Sequence, residues 1–234
     1  MRIQLWGVRG SLPSPINNEE YTGKIKRILD FAVQGGLKKK EDIDGFISSL
    51  PDELRYVFGG DTTCVTVSSD SGKIYILDCG TGLRRFGNVL MEGDCAKGQG
   101  VLNIMFTHNH WDHIQGLPFF RPIYVPGNVL NFYSPYKNLQ LNLENQMSSP
   151  YFPATFSGTA ATKNYFNIEN AVQTPLKLED DLEISIFPLK HPQGCFAYKF
   201  RQNGKQFIFA TDTEFTGEAI EQLKGTNEFF KDAD

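Results

Sequence analysis

Long hydrophobic runs are missing from this sequence, and so is any excess of positive charge. No apolar stretch approaches the ~18 residues that a membrane-crossing helix requires, and residues 1–10 lack the apolar core and small-residue cleavage site of a secretory signal. A soluble, cytoplasmic protein is the resulting expectation. Twenty-three Lys and Arg face 27 Asp and Glu, a formal net charge of −4, which excludes a globally basic, tail-like nucleic-acid binder. The one basic run, Lys38-Lys39-Lys40, reads as a solvated helix end. Cysteine is scarce: Cys64, Cys79, Cys95 and Cys195 form no C-x-x-C pair, so they fit buried free thiols better than a thiolate zinc knuckle or a disulfide framework. What is present, 40% apolar, 13% aromatic and 21% charged residues over 234 positions, is the composition of a globular fold, read here as a single domain over 1–234.

Strand-like runs bounded by turn residues recur at 1–8, 62–68, 73–78, 101–107, 129–133, 182–188, 196–201 and 206–211. The segments Ser69-Asp70-Ser71-Gly72 and Gln202-Asn203-Gly204-Lys205 carry Gly and Asn where a hairpin turn needs positive φ, so the runs flanking each are expected to pair antiparallel. Helical stripes appear at Tyr21, Ile25, Ile28, Leu29 and Ala32 and at Ile43, Phe46, Ile47 and Leu50. They mark 14–57 as a helical insertion after the first strand, able to dimerise or to lid a site. A later helix is expected over 217–224.

Three of the four histidines fall within six residues, in Thr107-His108-Asn109-His110-Trp111-Asp112-His113. His108 and His110 are two apart directly after a strand, so in extended geometry both imidazoles project the same way, whereas on a helix they would diverge by ~200°. Imidazole and carboxylate are the donors that a borderline cation such as Zn²⁺ accepts, and the absence of cysteine from the cluster favours an open, catalytic site over a structural one. The fourth histidine, His191, lies in a loop between strands, and Asp212 follows an apolar strand; loops at strand ends are where sites are built. A carboxylate such as Asp212 can bridge two cations ~3.5–4 Å apart.

The stretch 107–116 resembles the His-x-His-x-Asp-His motif of the metallo-β-lactamase superfamily. Around it, Trp6-Gly7-Val8-Arg9-Gly10-Ser11, Gly59-Gly60-Asp61-Thr62-Thr63-Cys64, Leu77-Asp78-Cys79-Gly80-Thr81-Gly82 and Thr211-Asp212-Thr213-Glu214 are similar to the branch of ribonuclease Z-like and cyclic-nucleotide phosphodiesterase-like hydrolases. The resemblance implies an α/β fold, an αββα sandwich of two mixed sheets with two divalent metal ions at one edge. Zinc is the first choice, manganese or iron the alternatives. His108, His110 and His191 would hold the first ion, Asp112 and His113 the second, and Asp212 would bridge. Asp112 and Asp212 are thereby the catalytic carboxylates, and a metal-bridged hydroxide would attack phosphorus. Family members usually continue past the position of Asp234 into a strand and a further histidine, so the resemblance implies that the C-terminal part is missing here. The second site then has fewer protein donors, and Glu214 becomes a candidate acid for the leaving group.

Arg9 and Ser11 could grip a phosphate oxygen, Gly80-Thr81-Gly82 could offer backbone N–H groups to an anion, and Asp78 could orient a ligand histidine. Phe119, Phe120, Tyr151 and Phe152 could wall a substrate pocket and stack on a base. The leading reading is a phosphodiesterase for a cyclic nucleotide or other small phosphodiester. Structured RNA is second, because its backbone calls for basic contacts that the sequence does not supply. An ester, thioester or lactam hydrolase and a non-catalytic metal-binding module are the remaining alternatives, and oligomeric state is left open.

Overall fold

The structure is a computed structural model that describes residues 1–57, 59–179 and 181–214. One sheet has six strands in sequence order: β1 (Arg2–Gly7), β2 (Cys64–Ser68), β3 (Ile74–Leu77), β4 (Val101–Met105), β5 (Val129–Ser134) and β6 (Thr162–Asn167). It is mixed, with the β1–β2 and β2–β3 pairs antiparallel and β3 to β6 parallel. The other sheet has the order β10-β9-β8-β7, from β7 (Leu176–Glu179), β8 (Leu182–Leu189), β9 (Cys195–Gln202) and β10 (Lys205–Phe209). Two mixed sheets were expected, but among the described residues every pairing in this one is antiparallel. Its connections are too short for anything else: a parallel neighbour needs a crossover of about a dozen residues, whereas β9 turns into β10 through Asn203 (φ 50°) and Gly204 (φ 74°) alone.

Period-two alternation sends side chains of the six-stranded sheet to two separate cores. Val65, Val67, Tyr75, Leu77 and Met105 face Leu182, Ile184, Ile186, Tyr198 and Phe200 of the other sheet. On the opposite face, Ile76, Leu102, Ile104 and Phe132 pack against Leu83 and Phe86 of helix α4 (Gly82–Leu90) and Leu139 and Leu143 of helix α6 (Leu139–Gln146). Both faces of β2 to β5 are therefore covered, as expected for strands in a parallel region. The helix expected at 217–224 lies outside the described residues.

Between β1 and β2 the chain forms α1 (Asn18–Gln34), α2 (Ile43–Ser49) and α3 (Asp52–Arg55). Asn17 caps α1 in a reciprocal capping box with Glu20. The apolar stripe of α1 is not buried: Tyr21 and Leu29 are more than half exposed, and only Leu50 and Leu54 anchor the segment deeply. A further short helix, α5 (Trp111–Ile114), carries part of the histidine motif. No helix among the described residues is long and apolar enough to cross a membrane.

Candidate metal centre

Four chain segments at one end of the sheets bring the predicted polar residues together. His108 and His110 follow β4, His110 in extended conformation at the start of α5, and Asp112 and His113 sit on the single turn of α5. The β8–β9 loop supplies His191, and Asp212 follows β10. Donor atoms of His108, His110, His191 and Asp212 lie within 4.8 Å of one another, and so do those of Asp112, His113 and Asp212. Asp212 belongs to both groups. Its Oδ2 is 3.7 Å from His108 Nε2 and 3.5 Å from His191 Nε2, while its Oδ1 is 3.5 Å from His113 Nε2. Asp112 Oδ2 lies 3.4 Å from the same His113 nitrogen.

The donor chemistry fits divalent cations. His108 Nε2 and His113 Nε2 are buried without a hydrogen-bond partner, a costly state for polar atoms unless a cation takes their lone pairs. Burial, with His113 beside it, holds His108 down to about 3, so its ring is a neutral donor at ordinary pH. For His113, burial works against the proton, but the Asp78 carboxylate and then Asp212 outweigh it and raise the group to about 10. The His113 ring, 3.5 Å away, holds Asp212 down to about 2 against the opposing effect of burial.

Asp78 is wholly buried at the end of β3, where its φ of 60° turns the side chain into the site. Its carboxylate accepts from His113 Nδ1 at 2.7 Å and from the backbone N–H and hydroxyl of Thr107, both at 2.8 Å. These bonds direct Nε2 of His113 toward Asp112 and Asp212. The Gly80-Thr81-Gly82 loop does not offer an anion cradle, because its three N–H groups are already bonded to Thr63 O, Thr62 Oγ1 and Thr62 O. It is instead a close backbone crossing: a Cβ on Gly116 would fall 1.9 Å from Gly80 O.

The other candidates scatter. Ser11 donates its backbone N–H to Asp112 Oδ2 at 2.7 Å and so steadies a candidate ligand. Arg9 lines a separate cleft against the helical insertion, with Glu20 and Glu53, and is not among the residues around the histidines. Phe120 is fully buried in the core beneath Gly87, and Phe119 packs edge-on against Phe152 at 5.7 Å; neither lines the cavity at the histidines, since loop aromatics here satisfy packing first. Tyr151 does line it and is 84% exposed. Glu214 is exposed, and its backbone N–H is bonded to Lys190 O.

That cavity, about 830 Å³, opens beside His108 and His110. Sequence reasoning missed most of its wall: Trp111, Tyr136, Gln193 and the Asn142, Asn145 and Gln146 face of α6. The signal available was the i, i+3, i+4 spacing of those three carboxamides, hidden by leucines at 139, 141 and 143 that alternate like a strand.

A family model described as the β-lactamase superfamily domain matches residues 74–234, well over half of the chain. The chain belongs to the metallo-β-lactamase superfamily. Among curated superfamily relatives, ribonuclease Z of Methanococcus maripaludis (strain C6 / ATCC BAA-1332) is 28% identical over 134 residues, 56% of this chain and 40% of that protein. Ribonuclease Z of Prochlorococcus marinus (strain MIT 9301) is 25% identical over 146 residues, 60% of this chain and 44% of that protein. The chain thus spans less than half the length of these relatives. Among solved structures, human tRNase Z, short form, superposes with a TM-score of 0.50 at 15% identity, covering 99% of this chain and 75% of that one, which shows a shared metallo-β-lactamase fold.

Proposed function

We propose that this protein is a metal-dependent phosphodiesterase that uses two cations. The observation that carries the reading is the shared Asp212 carboxylate between two donor groups, with buried, unpartnered nitrogens on His108 and His113. His108, His110, His191 and Asp212 would hold one ion, and Asp112, His113 and Asp212 the other. Bound divalent ions supply an acidified water at neutral pH and neutralise charge on the phosphoryl oxygens. The chain's own contribution is position: Asp78 and Thr107 fix the His113 ring, Ser11 N–H fixes Asp112, and Gln193 Oε1 meets His110 Nε2 at 2.9 Å. Zinc suits this imidazole and carboxylate set best, with manganese or iron as alternatives.

Two substrate classes compete. The cavity wall, without Lys, Arg, Asp or Glu among the described residues, and the acidic balance of the sequence favour a small phosphodiester such as a cyclic nucleotide. The relatives named ribonuclease Z favour an RNA end-processing activity, and this support is as strong as that for the small substrate. The deciding assay incubates the chain with Zn²⁺ or Mn²⁺ and offers bis(p-nitrophenyl) phosphate, a cyclic nucleotide and a precursor tRNA. Hydrolysis of at least one diester, abolished by EDTA and by His110→Ala or Asp212→Ala together with most bound metal, is the expected outcome. Full activity in both variants would refute it.

A further inference from the structure

We propose that the cavity beside the histidines is a nucleobase subsite, which would make the substrate a nucleoside phosphodiester; the proposal rests on the phosphodiesterase reading above. Among the described residues its wall carries no Lys, Arg, Asp or Glu, so these residues offer a second phosphate, a carboxylate or an amine no charged partner. It offers carboxamides instead. Asn142, Asn145 and Gln146 project from one face of α6, while Leu139 and Leu143 of the same helix are buried in the core. A carboxamide presents a planar donor and acceptor side by side, the complement of a base edge.

The hydrogen-bonding state of the wall points the same way. Asn109 Oδ1, Gln146 Oε1 and Tyr136 Oη are buried and have no partner among the described residues. Gln146 is oriented by its own Nε2, which donates to Ile114 O at 2.8 Å, so its oxygen is the end without a partner. Two amide oxygens ask for N–H donors, and the Tyr136 hydroxyl can give or take. Leaving such atoms unpaired is costly, and a heteroaromatic ring with amino or imino groups satisfies them. Trp111, 76% exposed, and Tyr151 supply aromatic faces in the same cavity. A volume of about 830 Å³ accommodates a nucleoside.

The test compares two substrates with one leaving group, thymidine 5′-(p-nitrophenyl phosphate) and methyl p-nitrophenyl phosphate, on the metal-loaded chain. The first is expected to have the higher kcat/KM. In Asn142→Ala and Gln146→Ala that preference should fall by about tenfold, the loss of one hydrogen bond to a desolvated group. Asn145→Ala, at an exposed position, is the companion should the partly buried sites perturb folding. Binding is read independently of turnover from tryptophan fluorescence. Of the two tryptophans, Trp6 is packed on Phe86 and bonded to Thr66, which leaves Trp111 to report the cavity. Adenosine and thymidine should quench it saturably and ribose should not. Hydrolysis of both diesters at equal efficiency, with no quenching, overturns the subsite and leaves the phosphodiesterase reading standing. Quenching by nucleosides without hydrolysis of either diester supports the subsite and removes the phosphodiesterase reading.

Discussion

Asp78 touches no candidate cation donor atom, yet it decides where one of them points. Its bond to His113 Nδ1 leaves Nε2 as the candidate ligand atom, and its bonds to Thr107 tie that geometry to the end of β4. Asp78→Asn is expected to weaken metal binding by about 10- to 100-fold, measured by competition with a chromophoric chelator; unchanged affinity would remove Asp78 from the site. The titrating histidines also set how the metal-free protein answers to pH. His108, held down to about 3 from 6.5, refuses a proton that the unfolded chain accepts, so stability drains away as pH falls from 6.5 toward 3. His113, raised to about 10, acts with the opposite sign: its contribution is full below 6.5 and is lost as pH rises through 10. Urea midpoints of EDTA-treated protein should accordingly be lower at about pH 4.5 and about pH 10.5 than near neutrality. At this scale the sequence was unusually legible, because four of the six clustered side chains announce themselves by histidine density or by position within one motif, and His191 and Asp212 follow strands. Tyr136 and Gln193 were not legible, since nothing local marks a lone Tyr or Gln as facing a cavity built by distant segments.

The elements that read poorly were those whose pattern conflicts with their environment. β6, Thr162–Asn167, is an edge strand with mostly polar, exposed residues, so alternation gives little contrast. In α6, leucines at 139, 141 and 143 imitate a strand, but the fold buries 139 and 143, four apart, and leaves Leu141 56% exposed. Leu143→Ala should therefore cost ~2–5 kcal/mol through the cavity it opens, whereas Leu141→Ala should stay within ~0.5 kcal/mol. Denaturant midpoints of the two variants check this, and equal effects would contradict the helical register. The helical stripe of 14–57 was legible as helix but not as surface. Periodicity reports which residues share a face; it does not say whether another element covers that face.

The whole molecule pairs an acidic net charge with a cavity wall that holds no Lys, Arg, Asp or Glu among the described residues. Backbone recognition of long RNA depends on cation release, so its affinity falls steeply with salt. Cleavage of a small diester held by carboxamides and aromatic faces should lose less than about threefold in KM between 50 and 200 mM salt, against a loss of an order of magnitude or more for RNA gripped by several phosphates. Michaelis constants for a nucleotide diester and for precursor tRNA over that range discriminate the two, and a steep dependence for both would point to basic contacts outside the cavity. The two-layer sheet architecture was visible from strand runs and hairpin turns. The antiparallel pairing of β7 to β10 was not, because pairing direction follows from connection lengths that become certain only once β7 and the bounds of β8 are known.

The crossing of Gly80 and Gly116 sets main chain directly against main chain, with Cys79 N–H donating to His113 O at 2.6 Å and Gly116 N–H to Cys79 O at 2.8 Å. No side chain acts as a spacer there. The frame that carries the imidazoles is consequently independent of the imidazoles themselves: donors can be exchanged as parts on a fixed chassis, whereas one methyl group at the crossing would splay the chassis and misalign every donor at once.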